Sequence, residues 1–352
     1  MNATDAPSTS QRTITSLRAF PQSWYLVAPS KSLRKGGVLS LDFLGQPLVL
    51  FRTSAGVVHA MDAHCAHMGA HLGKGKVVDD CLRCPLHHWT YDGNGRCATG
   101  FAGPGKVNRD LGGCQTGPSP QPSPGVPGEG VRGGQRTWPV EERFGNIFLF
   151  NGVRPLFEFP SFEFAPENEL RTRIGRPVHL RCAWVALAAN AFDMQHLSVV
   201  HGRELVDAPK VEHPDPHRLG LLYTSRVTGR GLADRITKWL SGDRIHVRIT
   251  CWAGTILIVE SQVGRAKTTM FLALTPSGPI VTASPVFGTR RSRIPGLDRL
   301  KLRIISWLFS HFMYKDVSIV EDMRFKVAMA DQAPGSPLRS FLDFLDGLAV
   351  ER

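Results

Sequence analysis

Two cysteines and two histidines form the most chemically specific pattern in the sequence. Cys65-x-His67 is followed, after sixteen residues, by Cys84-x-x-His87. Two thiolates and two imidazoles that arrive in matched pairs are typical of metal ligands rather than of core packing. Two kinds of site fit: a zinc ion held by all four side chains, or a [2Fe–2S] cluster with both thiolates on one iron and both imidazoles on the other.

The mixed composition of each pair favours the cluster. Zinc fingers usually pair Cys with Cys and His with His, whereas here each loop supplies one ligand of each type. Pro85 stiffens one loop, and Gly69 allows the other to approach closely. We therefore predict that a [2Fe–2S] cluster is bound by Cys65, His67, Cys84 and His87.

Other cysteines and histidines lie close to this pattern. Cys81 is three residues before Cys84, which creates a Cys-x-x-Cys spacing, but the four ligands are already supplied. Cys97 is also outside the ligand pattern. We expect the remaining histidines nearby to make local hydrogen bonds or to lie at the surface, namely His64, His71 and His88.

A second pattern reads Asn190-x-x-Asp193-x-x-His196-x-x-x-x-His201. It ends a segment of helix-forming composition, residues 183–197. Since residues three apart share one face of a helix, the first three side chains are predicted to form a single polar stripe. A plain amphipathic surface helix would show the same stripe.

Two imidazoles and one carboxylate on one face of a metal leave positions open for dioxygen, as in non-haem Fe(II) oxygenases. His196 and His201 would lie about 140° apart on a regular helix, so the helix should end or distort near residues 198–200. The carboxylate has to come from farther along the chain. The candidates are Asp316, Glu321 and Asp322.

Together the two patterns resemble the α-subunit of Rieske non-haem iron oxygenases. The resemblance includes Trp89, the turn at Tyr91-Asp92-Gly93 and Gly95. The second ligand loop, Cys84-Pro85-Leu86-His87-His88-Trp89, looks most like that of aminopyrrolnitrin oxygenase, and next like those of ketosteroid hydroxylases and sterol 7-desaturases. Most family members carry Gly where this chain has His88.

The resemblance implies an α+β fold in two domains. An all-β Rieske domain would cover residues 20–155, after a flexible start at residues 1–19, and a helix-grip domain with an antiparallel sheet and helices would cover 156–352. It also implies a mononuclear Fe(II) bound by His196, His201 and Asp316. In the family the ligand Asp begins a helix and precedes an aliphatic residue by three, as Asp316 precedes Ile319.

The implied activity is oxidation of an apolar aromatic or polycyclic substrate by dioxygen. The reaction would be a hydroxylation, an N-oxygenation, a desaturation or a cyclisation. Electrons would come from an NAD(P)H-dependent reductase or a ferredoxin. The family forms homotrimers, so Asp193 is predicted to bond His196 and to bridge to His87 of the next subunit, with Asn190 as a further catalytic residue.

Two other functional classes have to be weighed. A Rieske electron-transfer protein without its own catalysis would explain the first pattern, but it needs neither the helix motif nor Asp316. A zinc-containing nucleic-acid module would suit the net charge of +12, but residues 61–72 contain no Lys or Arg. We therefore expect a monooxygenase-type enzyme with no nucleic-acid partner.

The length and composition of the chain indicate how many domains it has and which class of protein it belongs to. A chain of 352 residues, 42% hydrophobic, is long enough for two domains with sizeable cores. Seven cysteines are too few for a disulfide scaffold, residues 1–18 show no secretory signal, and no apolar run reaches the ~18 residues of a membrane span. We therefore predict a soluble, cytoplasmic protein.

The pattern of apolar and polar residues predicts most of the strands and helices. Strands are predicted at 38–43, 47–52, 57–61 and 146–150, an antiparallel sheet over 218–284, and helices over 297–313 and 338–350. Residues 112–134 hold eight Gly and five Pro and are predicted to be a mobile insertion, or else a tightly packed loop. The basic stretch 290–303 suits an acidic electron donor, a membrane surface or simply a solvated helix face.

Overall fold

The computed structural model describes residues 20–101, 107–108, 134–264, 266–294, 296–326 and 335–348. The chain divides into two compact units, one formed by Trp24–Leu156 and the other by Phe157–Arg352 with the start of the chain. Residues 1–19 and nearly all of the predicted insertion at 112–134 lie outside the described residues. Their flexibility therefore stays a prediction.

The first unit is built from three antiparallel sheets, in the orders β1-β12-β11, β10-β4-β3-β2 and β5-β6-β7-β8-β9. Strands predicted at 38–43 and 146–150 are confirmed as β2 and β12, and those at 47–52 and 57–61 are shifted by one residue at most. The strands are β1 (Trp24–Pro29), β2 (Val38–Phe43), β3 (Gln46–Arg52), β4 (Val58–Asp62), β5 (Lys76–Val78), β6 (Cys81–Arg83), β7 (Thr90–Tyr91), β8 (Cys97–Phe101), β9 (Val107–Asn108), β10 (Thr137–Trp138), β11 (Val140–Arg143) and β12 (Asn146–Phe150).

The second unit contains a nine-stranded antiparallel sheet in the order β13-β21-β20-β19-β18-β17-β15, with β14 paired to β21 and β16 paired to β17. Its inner face is covered by helices, and the apolar side chains between them form one core cluster. The strands are β13 (Leu170–Ile174), β14 (Val178–Leu180), β15 (Arg203–Leu205), β16 (Lys210–Asp215), β17 (Arg218–Val227), β18 (Ile245–Trp252), β19 (Ile256–Val263), β20 (Ala266–Ser277) and β21 (Ile280–Arg290).

Five helices accompany this sheet in the described part of the second unit. They are α1 (Trp184–Asn190), α2 (Met194–Val199), α3 (Leu232–Ser241), α4 (Leu297–Val320) and α5 (Pro337–Asp346). Together with the sheet they give the α+β fold that the sequence predicts. No helix among the described residues has the length and apolar character needed to cross a membrane.

Two expectations about helices were wrong. The segment 183–197 is not one helix, because the chain breaks between α1 and α2 and Asp193 begins the second helix as its N-cap. The stretch 218–284 is not all sheet, since α3 lies between β17 and β18. Gly231 and Gly242 are the two caps of α3, and Gly242 has the left-handed φ typical of a helix end.

Helix α4 also differs from its predicted form. It runs seven residues beyond the predicted end at 313 and reaches Val320, so Asp316 lies inside this helix instead of beginning one. In the sequence, apolar residues at 297, 300, 304, 308 and 312 follow a helical period and predict one buried face, but Leu300 and Ile304 are exposed. The buried face instead contains Leu302 and Ile305. Because α4 carries apolar residues on two faces, periodicity alone selected the wrong one.

Candidate metal centres

The four predicted cluster ligands lie on two loops at one end of the first unit. Cys65 and Cys84 are buried, whereas His67 and His87 are exposed and their ring centroids are 4.9 Å apart. The structure therefore brings two thiols together on the inside and two imidazoles together on the outside. This arrangement fits a [2Fe–2S] cluster with an inner iron bound by sulfur and an outer iron bound by nitrogen.

Backbone hydrogen bonds hold each loop in a tight turn. In the first loop, Cys65 N donates to Ala70 O and Gly69 N donates to Cys65 O. In the second, Cys84 N donates to Trp89 O at 2.7 Å. Gly69 has a φ of 73°, a left-handed conformation that explains the need for glycine at this turn. His88, with a φ of 60°, adopts the same conformation at the cost of some strain.

Hydrogen-bond donors surround the two sulfur atoms. Tyr91 Oη lies 3.0 Å from Cys65 Sγ, and a phenol can only donate to a metal-bound thiolate. Burial raises the pKa of Tyr91, and Cys65 raises it further, so the phenol keeps its proton. Burial also raises the pKa of Cys84, while the backbone N–H groups of Leu86 and His87 counteract this effect. These donors favour negative charge at the sulfurs, as a bound cluster requires.

Aromatic contacts orient the first imidazole. The ring of Trp89 stacks on His67 with centroids 4.4 Å apart and an interplanar angle of 2°. This contact gives Trp89, noted in the family resemblance, a direct structural role. His71 is not in the ligand group, since its Nδ1 accepts from Gly73 N, and His64 packs against it edge to face.

Gln135 is a structural residue of this site that sequence reasoning missed. Its Oε1 accepts from Ala66 N, and its Nε2 donates to the carbonyl oxygens of Asp62 and His64. Its backbone N–H donates to Gly95 O, on the turn that follows the second ligand loop. Gln135 therefore ties the first ligand loop to that turn. Its position far along the chain, just after the Gly/Pro-rich segment, gave no signal of this role.

The second unit brings His196, His201 and Asp316 together. His196 Nε2 lies 3.1 Å from His201 Nε2, and Asp316 Oδ1 lies 2.8 Å from each of these nitrogens. His196 belongs to α2, His201 follows the end of that helix, and Asp316 comes from the buried face of α4. Helix α2 ends at Val199, which confirms the prediction that the helix ends or distorts near residues 198–200.

These distances fit one metal ion. Ligands at about 2.1 Å from a divalent metal, in neighbouring positions of an octahedron, are separated by roughly 3.0 Å. The three atoms lie within this range of one another and all on one side of any ion they would share. Two imidazoles and a carboxylate with open positions opposite are the donor set of non-haem Fe(II) sites.

The surroundings hold the three groups in place. His201 is buried and stacks on the ring of Phe312 with centroids 3.5 Å apart, and burial lowers its pKa, so the imidazole is neutral. Burial alone raises the pKa of Asp316, but hydrogen bonds from His196 and His201 outweigh it and lower the pKa overall. A neutral imidazole and an ionised carboxylate are the forms that bind metals.

Asp193 has a role different from the one expected. Its Oδ1 accepts from the backbone N–H groups of Gln195 and His196, so the carboxylate caps α2 and does not bond the imidazole of His196. The predicted polar stripe is therefore wrong, because Asn190 and Asp193 lie on either side of the helix break. Asn190 instead lines the cavity beside the triad, and its buried Nδ2 has no hydrogen-bond partner among the residues that the structure describes.

The other candidate carboxylates point elsewhere. Glu321 and Asp322 both form ion pairs with Arg181, at 3.3 Å and 3.1 Å, and both are exposed. Neither belongs to the group of metal-binding side chains around His196 and His201. Of the three candidates, the structure brings only Asp316 into contact with the two imidazoles.

A cavity of about 690 Å³ leads to the triad. This volume lies within the range typical of small-molecule sites and accommodates a polycyclic molecule. Apart from Asp316, no acidic residue in the described part of the chain lines it. Its walls are mostly apolar, including Leu187, Leu257, Met270, Leu272, Phe309 and Met313.

Comparison with known proteins supports the same interpretation. Residues 23–108 match the family described as the Rieske [2Fe-2S] domain. The chain is 28% identical to cholesterol 7-desaturase nvd of Bombyx mori, over 57% of this chain and 40% of the relative. It is 32% identical to aminopyrrolnitrin oxygenase PrnD of Pseudomonas fluorescens, over 51% and 45%. The matches therefore span less than half the length of these relatives.

Solved structures extend the likeness over both units. A crystal structure of dicamba monooxygenase bound to dicamba is 20% identical, covers 93% of this chain and 98% of its own, and superposes with a TM-score of 0.63. At this identity the likeness shows a shared fold. The chain thus contains a Rieske domain, and the predicted resemblance to Rieske non-haem iron oxygenases is confirmed.

Proposed function

We propose that this relative of the Rieske oxygenases oxidises an apolar aromatic or polycyclic substrate with dioxygen, using electrons from an NAD(P)H-dependent reductase or a ferredoxin. The observation that carries the proposal is the meeting of His196, His201 and Asp316 at an apolar cavity, in a chain that also has a Rieske domain. A chain that only carried electrons would need neither the cavity nor the triad.

Each group of ligands has a defined task in this proposal. Cys65, His67, Cys84 and His87 would hold the [2Fe–2S] cluster, and the triad would hold Fe(II). When bound, the cluster supplies single electrons, and the iron supplies open positions at which dioxygen is activated. The exposed imidazoles of His67 and His87 suit electron exchange with another protein, because the outer iron would lie near the surface.

The cavity residues would position the substrate. The apolar walls remove an apolar molecule from water and hold it beside the triad. Asn190 Nδ2 and the phenol of Tyr223 are polar groups that line the cavity, and burial raises the pKa of Tyr223, which keeps its proton. Both can donate a hydrogen bond to an oxygen of the substrate, which would fix its orientation.

We further propose that the protein works as a cytoplasmic homotrimer. The family resemblance implies that electrons pass from the cluster of one subunit to the iron of the next, and Asp193 remains our candidate for the bridge. Both bonds of the helix cap go to Asp193 Oδ1. Oδ2 takes no part in the cap, which leaves it for the His87 imidazole of a neighbouring subunit.

The reaction type follows less directly. Relatives named desaturase, oxygenase and monooxygenase match the chain to a similar extent. Hydroxylation, N-oxygenation, desaturation and cyclisation all begin with the same activation of dioxygen, so the position of the substrate in the cavity decides among them. We propose a monooxygenase-type reaction because proteins named monooxygenase resemble this chain in sequence and in fold.

The test is product analysis. The purified protein would be incubated with NADH, a surrogate reductase, dioxygen and a panel of sterols, indoles and other polycyclic compounds, and the products identified by mass spectrometry. We expect oxidised product from at least one apolar compound, with incorporation of label from ¹⁸O₂ if the reaction is an oxygenation.

An electron carrier would behave differently. It would accept electrons from the reductase and pass them to an added acceptor, and no member of the panel would be oxidised. The matched control is Asp316→Asn, which should keep cluster reduction by the reductase but lose product formation. Equal product from this variant and from wild type would contradict the proposal.

A further inference from the structure

Helices α3 and α4 expose large apolar side chains to solvent. Trp239 is 82% exposed and Leu232 is 68% exposed, values that are unusual for such side chains in a folded domain. We call the following set the α3–α4 face: Leu232, Trp239 and Leu240 of α3, and Leu300, Ile304 and Trp307 of α4.

The core does not require these side chains. Helix α4 already packs a separate face inward through Leu302, Ile305 and Val320. Its exposed residues Ile304 and Trp307 follow one another at helical spacing on a different side. One face of α4 already holds the helix in the core. A second, exposed apolar face therefore suggests that the helix contacts an apolar surface outside this chain.

Positive charge accompanies the apolar residues. Exposed basic side chains alternate with them on both helices, and the acidic residues there are buried: Asp234 pairs with Arg203, and Asp298 accepts from Ser292 N. Just after α3, Asp243 partly offsets Lys238, which it pairs with at 3.4 Å. The exposed cations are Arg235 and Lys238 of α3, and Arg299, Lys301 and Arg303 of α4.

Part of the basic stretch predicted at 290–303 is already engaged. Arg290 donates to Phe164 O, and Arg291 donates to Leu170 O, so both anchor the sheet to neighbouring segments. The cations on α4 itself remain at the surface. They lie among the apolar residues rather than in a separate patch.

The cavity reaches the surface at the same place. Leu240 of α3 and Ile304 of α4 are exposed and also line the cavity that leads to the triad. Lys301 likewise lines the cavity and is exposed. The α3–α4 face therefore borders an opening through which an apolar molecule can enter.

We propose that the α3–α4 face docks on the surface of an anionic lipid bilayer, with the cavity opening against the membrane. Tryptophan, leucine and isoleucine interleaved with Lys and Arg, with no exposed carboxylate on either helix, are typical of helices that lie in a membrane interface. Entry of an apolar substrate from the bilayer rests in addition on the proposed function, whereas the docking does not.

Two other partners fit less well. An acidic protein would match the cations but leave Trp239 and Trp307 without a reason to be exposed. A second copy bound through the same face in a two-fold contact would bring the cations of α4 against those of its partner. In the head-to-tail contacts of the proposed trimer, the face would instead need an apolar and acidic counterpart on a different surface of the neighbour. Both remain possible outcomes of the test and are distinguishable from lipid binding.

The experiment is sedimentation of the full-length protein, with its metals, with vesicles of phosphatidylcholine alone or mixed with phosphatidylglycerol. We expect binding to the mixed vesicles and a blue shift of tryptophan emission. The double variant Trp239→Ala/Trp307→Ala should bind about tenfold more weakly or worse, and so should Lys301→Glu/Arg303→Glu on the anionic vesicles.

Matched controls come from exposed residues elsewhere in the same unit. Ile174→Ala/Ile280→Ala removes exposed apolar groups, and Arg173→Glu reverses an exposed charge, so neither should change vesicle binding. Unchanged circular dichroism and unchanged iron and sulfide content would show that the variants fold. Product formation from a water-soluble substrate is measured separately, so that failure of the oxygenase proposal is not mistaken for failure of docking.

Three results would overturn the docking proposal. Wild-type protein could ignore both kinds of vesicle. The tryptophan variant could instead change the oligomeric state measured by analytical ultracentrifugation, which would assign the face to a second copy. Alternatively, the charge-reversed variant could lose salt-sensitive reduction by its electron donor while vesicles remain unbound, which would assign the face to an acidic protein.

Discussion

The two candidate metal centres differ in burial and in how the chain builds them. The cluster ligands come from two short loops between strands, and the imidazoles of His67 and His87 are exposed. The iron ligands come from α2, from the residues just after it and from α4, with His196 and Asp316 separated by 120 residues, and they lie at a mostly apolar cavity. A site that exchanges electrons needs a route to the surface, whereas a site that activates dioxygen needs exclusion of water.

The two centres also differ in the contacts that hold their ligands in place. Backbone hydrogen bonds and Gln135 fix the cluster loops, so each ligand position depends mainly on local turns. The triad depends on the contact of His196 in α2 with Asp316 in α4, and on the stacking of Phe312 on His201. We therefore expect changes at the triad to affect one metal and to leave the cluster loops intact.

The largest expected effect tests whether the two sites are independent. Asp316→Asn removes the carboxylate shared by His196 and His201, and turnover should fall by more than about 100-fold, since even an indirect change at a metal site costs 10–100-fold. Visible absorption of the cluster should remain. The matched variant Asp322→Asn changes a carboxylate that pairs only with Arg181 among the described contacts and should retain wild-type turnover. Equal loss in both variants would refute the assignment.

A second change tests whether the two sites communicate through Asp193. Asparagine caps helices as well as aspartate does, so Asp193→Asn should keep the cap of α2 and both metals. We expect slow reoxidation of the reduced cluster by dioxygen and substrate, followed by stopped-flow absorbance, with turnover down by about tenfold or more. Asp193→Ala also removes the cap and should destabilise the protein by about 1 kcal/mol. Reoxidation at the wild-type rate in Asp193→Asn would show that Asp193 does not form the bridge.

A third change sharpens the role of donors at the buried sulfur. Tyr91→Phe removes the hydroxyl that lies 3.0 Å from Cys65 Sγ. The reduction potential of the cluster should fall by about 50 mV, because the hydrogen bond that the variant lacks stabilises the more negative, reduced form of the cluster. Potentiometric titration measures this. Tyr25→Phe alters a buried phenol in the same unit and serves as the control. An unchanged potential in Tyr91→Phe would mean that the phenol does not bond the sulfur.

The smallest expected effect concerns the strained turn. His88 has a φ of 60°, and glycine adopts this conformation without the roughly 1 kcal/mol that other residues incur. His88→Gly should therefore leave stability unchanged within about 1 kcal/mol, since the gain is offset by the flexibility of the unfolded chain. His88→Val should destabilise the first unit and lose the cluster faster. Thermal unfolding followed by cluster absorbance compares the two, and equal effects would argue against strain.

The sequence predicts the first centre better than the second for a physical reason. Cys65, His67, Cys84 and His87 lie close together along the chain, so their spacing reports the local loops. Asp316 is brought to His201 by tertiary packing, which spacing cannot report, and only the family resemblance pointed to it. Even then its position inside α4 was missed.

The other features that the sequence analysis did not predict each have their own physical explanation. The break between α1 and α2 could have been found from Asp193, because Asp is a preferred N-cap and the residues after it resume a helix. The exposure of Leu300 and Ile304 could not, because α4 is apolar on two faces and periodicity does not reveal which one packs. Gln135 was missed because its partners lie on a loop far away in sequence.

The most direct test of two distinct metal centres is the metal and sulfide content of anaerobically prepared protein. We predict about three irons and about two acid-labile sulfides per chain, and about two of each in Asp316→Asn, since the variant loses only the iron bound by His196, His201 and Asp316. Zinc without sulfide, or an iron content that is the same in both proteins, would contradict this account.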